Sequence, residues 1–327
     1  MTLFSIVIFC LFFAEIIFTL LGYKPCDISF FEHARKVKQN EQSTFIADSI
    51  MGFKPRPGVF VKCADNDTNT IRYSVDSSFC RVASYDKNYF DKQIIIAGCS
   101  FTFGDNLDDT QTSSFKLQTK LIPYKISVKN ISCGAYGTTQ FYLQIKNLDN
   151  SKNKILAVIL NYAAFHDARA IMARSWRSIL VHAQNSKIRV PFSNVINDSL
   201  IIDYQILDYN LLPLQTKSAL VNRIDNFICT QEEKIGRQVS EKLLNKIVEV
   251  CKQKKILLIL TGLKNDDYTI KMIEYFSSKG VQTLMYNIDL NDSKYNFLPY
   301  DTHPNAKAHE VFADSMFNKL MQLNLLN

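Results

Sequence analysis

From about residue 93 onward, short apolar runs rich in β-branched residues alternate with stretches whose apolar positions recur at helical spacing. The runs Gln93 to Ala97, Lys125 to Ile131, Ile155 to Leu160, Ile256 to Thr261 and Val281 to Tyr286 are short and largely apolar. Strands covered on both faces of a parallel sheet have this character. Between them, Ser113 to Leu121, Gln140 to Asn147, Glu232 to Cys251 and Thr269 to Ser278 are expected as helices, and a last helix follows Pro304. Such alternation predicts an α/β domain built on a parallel sheet. Residues 183–228 fit it poorly, and segments such as Leu200-Ile201-Ile202-Asp203-Tyr204 suggest an inserted lobe.

The front of the chain has a different pattern. From Leu3 to Leu21 the only charged residue is Glu15, and a helix of that length at ~1.5 Å per residue matches a hydrocarbon core of about 30 Å. Nothing basic precedes Leu3, and the run passes straight into Leu21-Gly22-Tyr23-Lys24-Pro25, so an uncleaved anchor is expected rather than a cleaved signal peptide. Lys24, Arg35, Lys36 and Lys38 follow the span, and a literal positive-inside count would hold the C-terminal side in the cytoplasm. The organisation expected is an anchor over 1–22, a juxtamembrane stalk and edge segment over 23–90, and a catalytic domain over 91–327 with its lobe at about 183–228.

The formal charge of +7 is dispersed, with no basic run interleaved with aromatics, which argues against a nucleic-acid partner. The 8 cysteines include no CxxC pair of the kind that zinc sites use. Cys63 and Cys80 flank a polar loop and are placed to pair if the compartment is oxidising.

Ligands of an open parallel sheet bind beyond the carboxyl ends of its strands, so the residues following each strand carry the chemistry. After the first strand comes Gly98-Cys99-Ser100-Phe101-Thr102-Phe103-Gly104, a serine in a glycine-bracketed turn. Plain turn chemistry is the common reading of such a segment, but the turn can also present a hydroxyl beside free N–H groups at a helix start. Near the other end stands Asp301-Thr302-His303-Pro304-Asn305. Alone it reads as a capping or surface pair. With Ser100 it supplies a base for the hydroxyl and a carboxylate to orient that base. Pro304 suits the first position of the closing helix.

These blocks resemble the SGNH/GDSL hydrolase superfamily. Residues 94–104 are similar to its first block, Asn130-Ile131-Ser132-Cys133-Gly134-Ala135-Tyr136-Gly137-Thr138-Thr139-Gln140 to its second, and Asp301-Thr302-His303-Pro304 to its last. Glu15, Leu21-Gly22-Tyr23-Lys24-Pro25 and Gly52-Phe53-Lys54-Pro55 resemble membrane-tethered bacterial members. The resemblance implies a flavodoxin-like three-layer α/β/α domain with a five-stranded parallel sheet, preceded by a transmembrane helix, with the catalytic domain periplasmic or extracytoplasmic. It implies Ser100 as nucleophile, His303 as base and Asp301 as its orienting acid, with backbone N–H groups of Ser100 and Ala135 in the oxyanion hole.

Three departures stand out. Cys99 replaces the aspartate before the nucleophile; it should point toward the sheet as an inert thiol. Ala135 stands at the expected oxyanion glycine. Where the family has Gly-x-Asn-Asp, this chain reads Leu160-Asn161-Tyr162-Ala163-Ala164-Phe165-His166-Asp167-Ala168-Arg169, so the side-chain oxyanion donor is either Asn161 or His166, with His166 slightly preferred, unless the two merely end a strand and cap a helix. No metal or organic cofactor is implied. The activity implied is a serine esterase acting on O-acyl groups of cell-envelope carbohydrate, or on a lipid ester. The alternatives are an O-acyltransferase using the same serine, and a non-catalytic glycan-binding protein on a degenerate scaffold.

Overall fold

The computed structural model describes residues 2–28, 44–63, 70–86, 90–151, 153–183 and 188–326; Arg35, Lys36 and Lys38 lie outside the described residues, as does the side chain of Cys63. Helix α1 (Leu3–Leu20) exposes apolar side chains around most of its surface and is long and apolar enough to cross a membrane. Two antiparallel hairpins follow, β1 (Phe45–Asp48) with β2 (Gly52–Pro55) and β3 (Gly58–Cys63) with β4 (Thr70–Val75). The alternating part begins with β5 (Lys92–Ala97), α2 (Ser100–Phe103), α3 (Ser113–Leu121), β6 (Ile126–Asn130), α4 (Thr138–Lys146), β7 (Lys154–Tyr162), α5 (Phe165–Ala170) and α6 (Arg174–Ala183). A hairpin of β8 (Arg189–Ile196) and β9 (Ser199–Ile206) precedes α7 (Ala219–Gln253). The chain ends with β10 (Leu257–Gly262), α8 (Asp267–Ser278), β11 (Gln282–Met285), the short pair β12 (Asn296–Phe297) and β13 (Asp301–Pro304), and α9 (Ala306–Gln322).

The five expected strands are the five strands of one parallel sheet, in the order β6-β5-β7-β10-β11. Numbered along the chain this is 2-1-3-4-5, the flavodoxin-like winding, whose order reverses between β5 and β7. Ile94, Ile95, Ile96 and Ala97 of β5 and Ala157, Val158, Ile159 and Leu160 of β7 are buried, because helices flank the sheet: α3 packs on α9, and α7 on α4 and α5.

Two elements differ from expectation. α7 starts at Ala219 rather than Glu232, so the last ten residues of the segment 183–228 are helix. The added residues include Val221, Asn222, Ile224, Asp225, Asn226, Ile228 and Thr230, all modest helix formers, and the helix is set instead by its capped start and by packing. The first half of that segment is the β8–β9 hairpin, turning at Asn197 and Asp198, both with positive φ, as a two-residue primed turn requires. α7 also crosses α5 at Gly236, where a Cβ would lie 2.5 Å from the Asp167 carbonyl oxygen. The second difference is at Pro304, which closes β13. α9 is capped by Asn305, whose Oδ1 accepts from the N–H groups of Lys307 and Ala308.

The described residues between 45 and 83 include groups packed on the sheet domain. Phe53 and Ala83 enter its core, and the Tyr136 hydroxyl donates to the Phe53 carbonyl at 2.6 Å. Arg81 bridges to Asn130 at the end of the edge strand β6, its N–H donating to that carbonyl at 3.0 Å. Its guanidinium, 1% exposed, lies 3.2 Å from Asp109 and donates to the Leu107 carbonyl at 2.8 Å. Asp109 also accepts from the Ser74 N–H, and Asp108 from the Arg72 N–H, so β4 and Arg81 together clamp the loop after α2. Cys80 beside it is a buried free thiol, pushed up to about 12 by burial.

Removing one partner of a buried ion pair leaves the other charge uncompensated. Asp109→Ala is therefore expected to cost about 3–5 kcal/mol of stability, read as a lowered midpoint in chemical denaturation.

Candidate active site

The turn from β5 into α2 is sterically fixed. A Cβ on Gly98 would lie 2.2 Å from Thr102 Oγ1, so this position accommodates only glycine. Cys99 is the N-cap and Ser100 the first residue of α2, at the mouth of the sheet beside the point where strand order reverses. Cys99 is fully buried, and burial raises its pKa, which disfavours the thiolate a nucleophile would need.

From the far end of the chain, β13 carries Asp301 and His303 to the same place. Phe101 of α2 meets the His303 ring edge-on at 5.1 Å. His303 Nδ1 lies 2.7 Å from one Asp301 carboxylate oxygen and 2.8 Å from the other. Asn106 donates its side-chain amide to Asp301 as well. Burial alone would raise the Asp301 pKa, but the hydrogen bonds and charge of His303 outweigh it and hold the carboxylate below its ordinary value. For His303, burial acts to lower the pKa. The Asp301 hydrogen bond and the charges of Asp105 and Asp301 overcome that and raise it above 6.5. Asp105, whose Oδ2 is 3.9 Å from His303 Nε2, is a site residue the sequence reading missed. It sits in the same turn as the serine, directly after Gly104, and nothing in its spacing marked it.

Ser100, Asp105, Ala135, Arg169 and His303 line one cleft of about 420 Å³ together with Phe45, Phe101, Phe165, Trp176, Lys264 and Thr302. Ala135 has φ +70°, a left-handed conformation that glycine adopts without strain and alanine does not. The backbone shape expected of a glycine is thus held by an alanine.

The two expected side-chain donors do not line this cleft. Asn161, at the end of β7, is buried; its amide donates to Thr102 Oγ1 at 3.1 Å and its carbonyl accepts from the hydroxyls of Tyr286 and Thr261. These bonds tie the end of β7 to β10, to α2 and to Tyr286 just after β11. His166 is fully buried, with Nδ1 accepting from the Ala163 N–H at 3.1 Å and Phe141, Phe165 and Tyr162 around the ring. Burial, reinforced by Arg169, drives its pKa well below 6.5, so it does not titrate near neutrality. His166 thus bonds back to the turn before α5, and Asp167 accepts from the Tyr162 hydroxyl at 2.8 Å. The polar side chain of this segment that reaches the cleft is Arg169, beside Phe165. It donates to the Tyr136 carbonyl at 3.0 Å and lies over the Phe165 and Trp176 rings. A Cβ on Gly137 would lie 2.4 Å from Arg169 Cβ, so Gly137 makes room for it.

No family model matches this sequence, and no curated protein does. Among solved structures, it is similar to TesA (10% identity, TM-score 0.43, covering 71% of this chain and 99% of that one) and to the psychrotrophic esterase EstA from Pseudoalteromonas sp. (13%, 0.43, 72% and 99%). A member of the lipolytic protein G-D-S-L family from Veillonella parvula DSM 2008 is similar at 10% identity, with a TM-score of 0.38 over 71% of this chain and 97% of that one.

Two predictions rest on this geometry. If His303 is the base, it works unprotonated, so kcat/KM on an aryl ester should rise through a pKa above 6.5; Asp105→Asn, by removing a nearby negative charge, should move that acid limb to lower pH. An unmoved limb would mean that Asp105 does not act on His303. Relief of the left-handed strain predicts that Ala135→Gly stabilises the fold by about 1 kcal/mol with turnover retained, checked by denaturation and an ester assay.

Proposed function

We propose that this chain is a membrane-anchored serine ester hydrolase of the SGNH/GDSL type. The observation carrying that reading is the convergence of Ser100, at the end of β5, with the His303–Asp301 pair, from β13, on one cleft. Ser100 Oγ attacks the ester carbonyl as His303 takes its proton. His303 returns that proton to the leaving alcohol, and water then releases the acyl group by the same steps in reverse. Asp301, fixed by Asn106, holds the Nδ1–H of the imidazole and stabilises the imidazolium. The N–H groups of Ser100 and Ala135 are the backbone oxyanion donors. Arg169 takes the part first sought in Asn161 and His166: a charged donor at the cleft, desolvated by burial and oriented by Phe165 and Trp176.

The lining favours an O-acylated carbohydrate as substrate. Aromatic faces alternate with Asp105, Arg169 and Lys264, a mixture suited to a polar ring bearing a small acyl group. Past Phe165, Arg169, Trp176 and Ile179 the cleft adjoins a second cavity of about 470 Å³ lined by Ser175, Glu233, Arg237 and Tyr268, space for further units of such a substrate.

An uncleaved anchor is supported by the way α1 is tied into the fold: Glu15 accepts from Ser218, Ala219 and Leu220, and the Lys24 carbonyl accepts from Asn222. The domain it carries is assigned to the extracytoplasmic side, as in the tethered proteins its front end resembles.

A fluorophosphonate probe should label the wild-type chain and not Ser100→Ala, while Cys99→Ala stays labelled; loss of labelling only in Cys99→Ala would reverse the nucleophile assignment. Arg169→Met is expected to lower kcat by about tenfold or more, whereas Asn161→Ala and His166→Ala should act chiefly on stability. Alkaline phosphatase fused after Asn327 should be active and green fluorescent protein dark, and the opposite pattern would place the domain in the cytoplasm.

A further inference from the structure

The N-terminal turn of α7 is capped by a residue of another helix. Glu15 Oε1 accepts from the Ala219 N–H at 2.8 Å, and Oε2 accepts from the Leu220 N–H at 3.0 Å and from the Ser218 hydroxyl. These are groups that a helix start leaves without intrahelical partners. A carboxylate in a hydrocarbon environment is costly unless donors surround it, and here α7 supplies them. The junction is reinforced on either side. Arg223 lies over the Tyr23 ring at 5.0 Å, Asn222 donates to the Lys24 carbonyl at 2.9 Å, and the Cys26 N–H donates to the Gln215 carbonyl at 2.9 Å.

These contacts fix a depth. Glu15 stands five residues before Leu20, the last residue of α1, which is about 7.5 Å along the helix axis. The 18 residues of α1 span about 27 Å, close to the thickness of a hydrocarbon core. With α1 across a bilayer, the first turn of α7 therefore lies several ångströms below the level at which α1 leaves the apolar layer. The surface there is suited to that position. Leu211 and Leu214 in the approach to α7, and Ile224, Phe227 and Ile228 on α7 itself, are exposed, Leu214 at 66% and Phe227 at 61%. Ile224, Phe227 and Ile228 fall on one helical stripe, and Lys217 and Arg223 flank it as interfacial cations do.

We propose that residues 211–228 form a second membrane contact, an interfacial element seated in the acyl boundary of the same leaflet that α1 leaves. The partner is the lipid bilayer, because this apolar surface is joined directly to the span itself. A depth of about 7.5 Å is what amphipathic interfacial helices reach. The proposal rests on the reading of α1 as a span.

The test is depth-dependent quenching of a single tryptophan in the full chain reconstituted into phosphatidylcholine vesicles. With Trp176→Phe as background, Phe227→Trp and Leu11→Trp are placed separately, and the lipids carry bromine either near the headgroup or near the chain end. Phe227→Trp should lose about half or more of its emission to the headgroup-proximal bromines and distinctly less to the deep ones, as a group held at the acyl boundary does. Leu11→Trp, near the middle of the span, should show the reverse order. If Leu11→Trp is quenched and Phe227→Trp is not, the interfacial element is refuted while the span stands. If neither is quenched, the span reading falls and the proposal with it.

Discussion

A guanidinium and a carboxylate with almost no access to water hold the candidate site in register. Arg81 and Asp109 are each 1% exposed, and their pairing joins a segment preceding the sheet to the loop following α2. That loop is short and carries consecutive duties. Leu107 accepts from Arg81, Asn106 donates to Asp301, and Asp105 faces His303. A shift of the loop would therefore move both groups that set the electrostatics of His303. Burying such a pair is seldom a gain over apolar packing, and its effect lies in the position it specifies. Arg81 itself also pairs with Asn130 at the end of β6, the edge strand of the sheet, where a backbone group would otherwise be unpaired.

The central sheet was legible in the sequence because its strands are buried on both faces, and burial on both faces leaves an uninterrupted apolar run. Ser100, Asp301 and His303, the residues proposed for the site, stand at turns whose composition is constrained, Gly98 by the approach of Thr102 and Asn305 by its capping duty, and the structure brings them to one region. Which polar side chain after β7 reaches the cleft was not legible. Asn161, His166 and Arg169 all lie within nine residues of the end of β7, and which one turns toward the cleft is decided by tertiary contacts: Asn161 by the hydroxyls of Thr102, Thr261 and Tyr286, His166 by the Ala163 N–H and the rings of Phe141 and Phe165. Thr102, Thr261, Tyr286 and Phe141 are all distant in sequence. The start of α7 was hidden for a related reason. Its residues have modest helix propensity, and part of what stabilises the first turn is a carboxylate about two hundred positions away, Glu15.

Electrostatics at the cleft divides the titrating groups. His303 sits between two carboxylates and keeps its proton to higher pH, whereas His166 and His309, both wholly buried, are pushed the other way, His309 to about 3. Burial is the first influence on all three. What separates them is the pair of negative charges beside His303, which the two others lack as a shifting influence. Of these three rings, the one between carboxylates is the one whose charged form is favoured.

α7 links the two ends of the molecule described above. Its capped start meets Glu15 of α1, and at Gly236 its backbone presses on α5, the helix that carries Arg169 into the cleft. From Ser218 to Gly236 the helix rises about 27 Å, whatever its inclination to the bilayer. A rigid strut of that length sets an upper limit on how far this part of the cleft can stand from the α1 junction. On the reading proposed for Ser100 and α1, an ester bond would meet the serine only within a thin layer of space next to the membrane, and a long polymer would be sampled only along the stretch that passes through that layer.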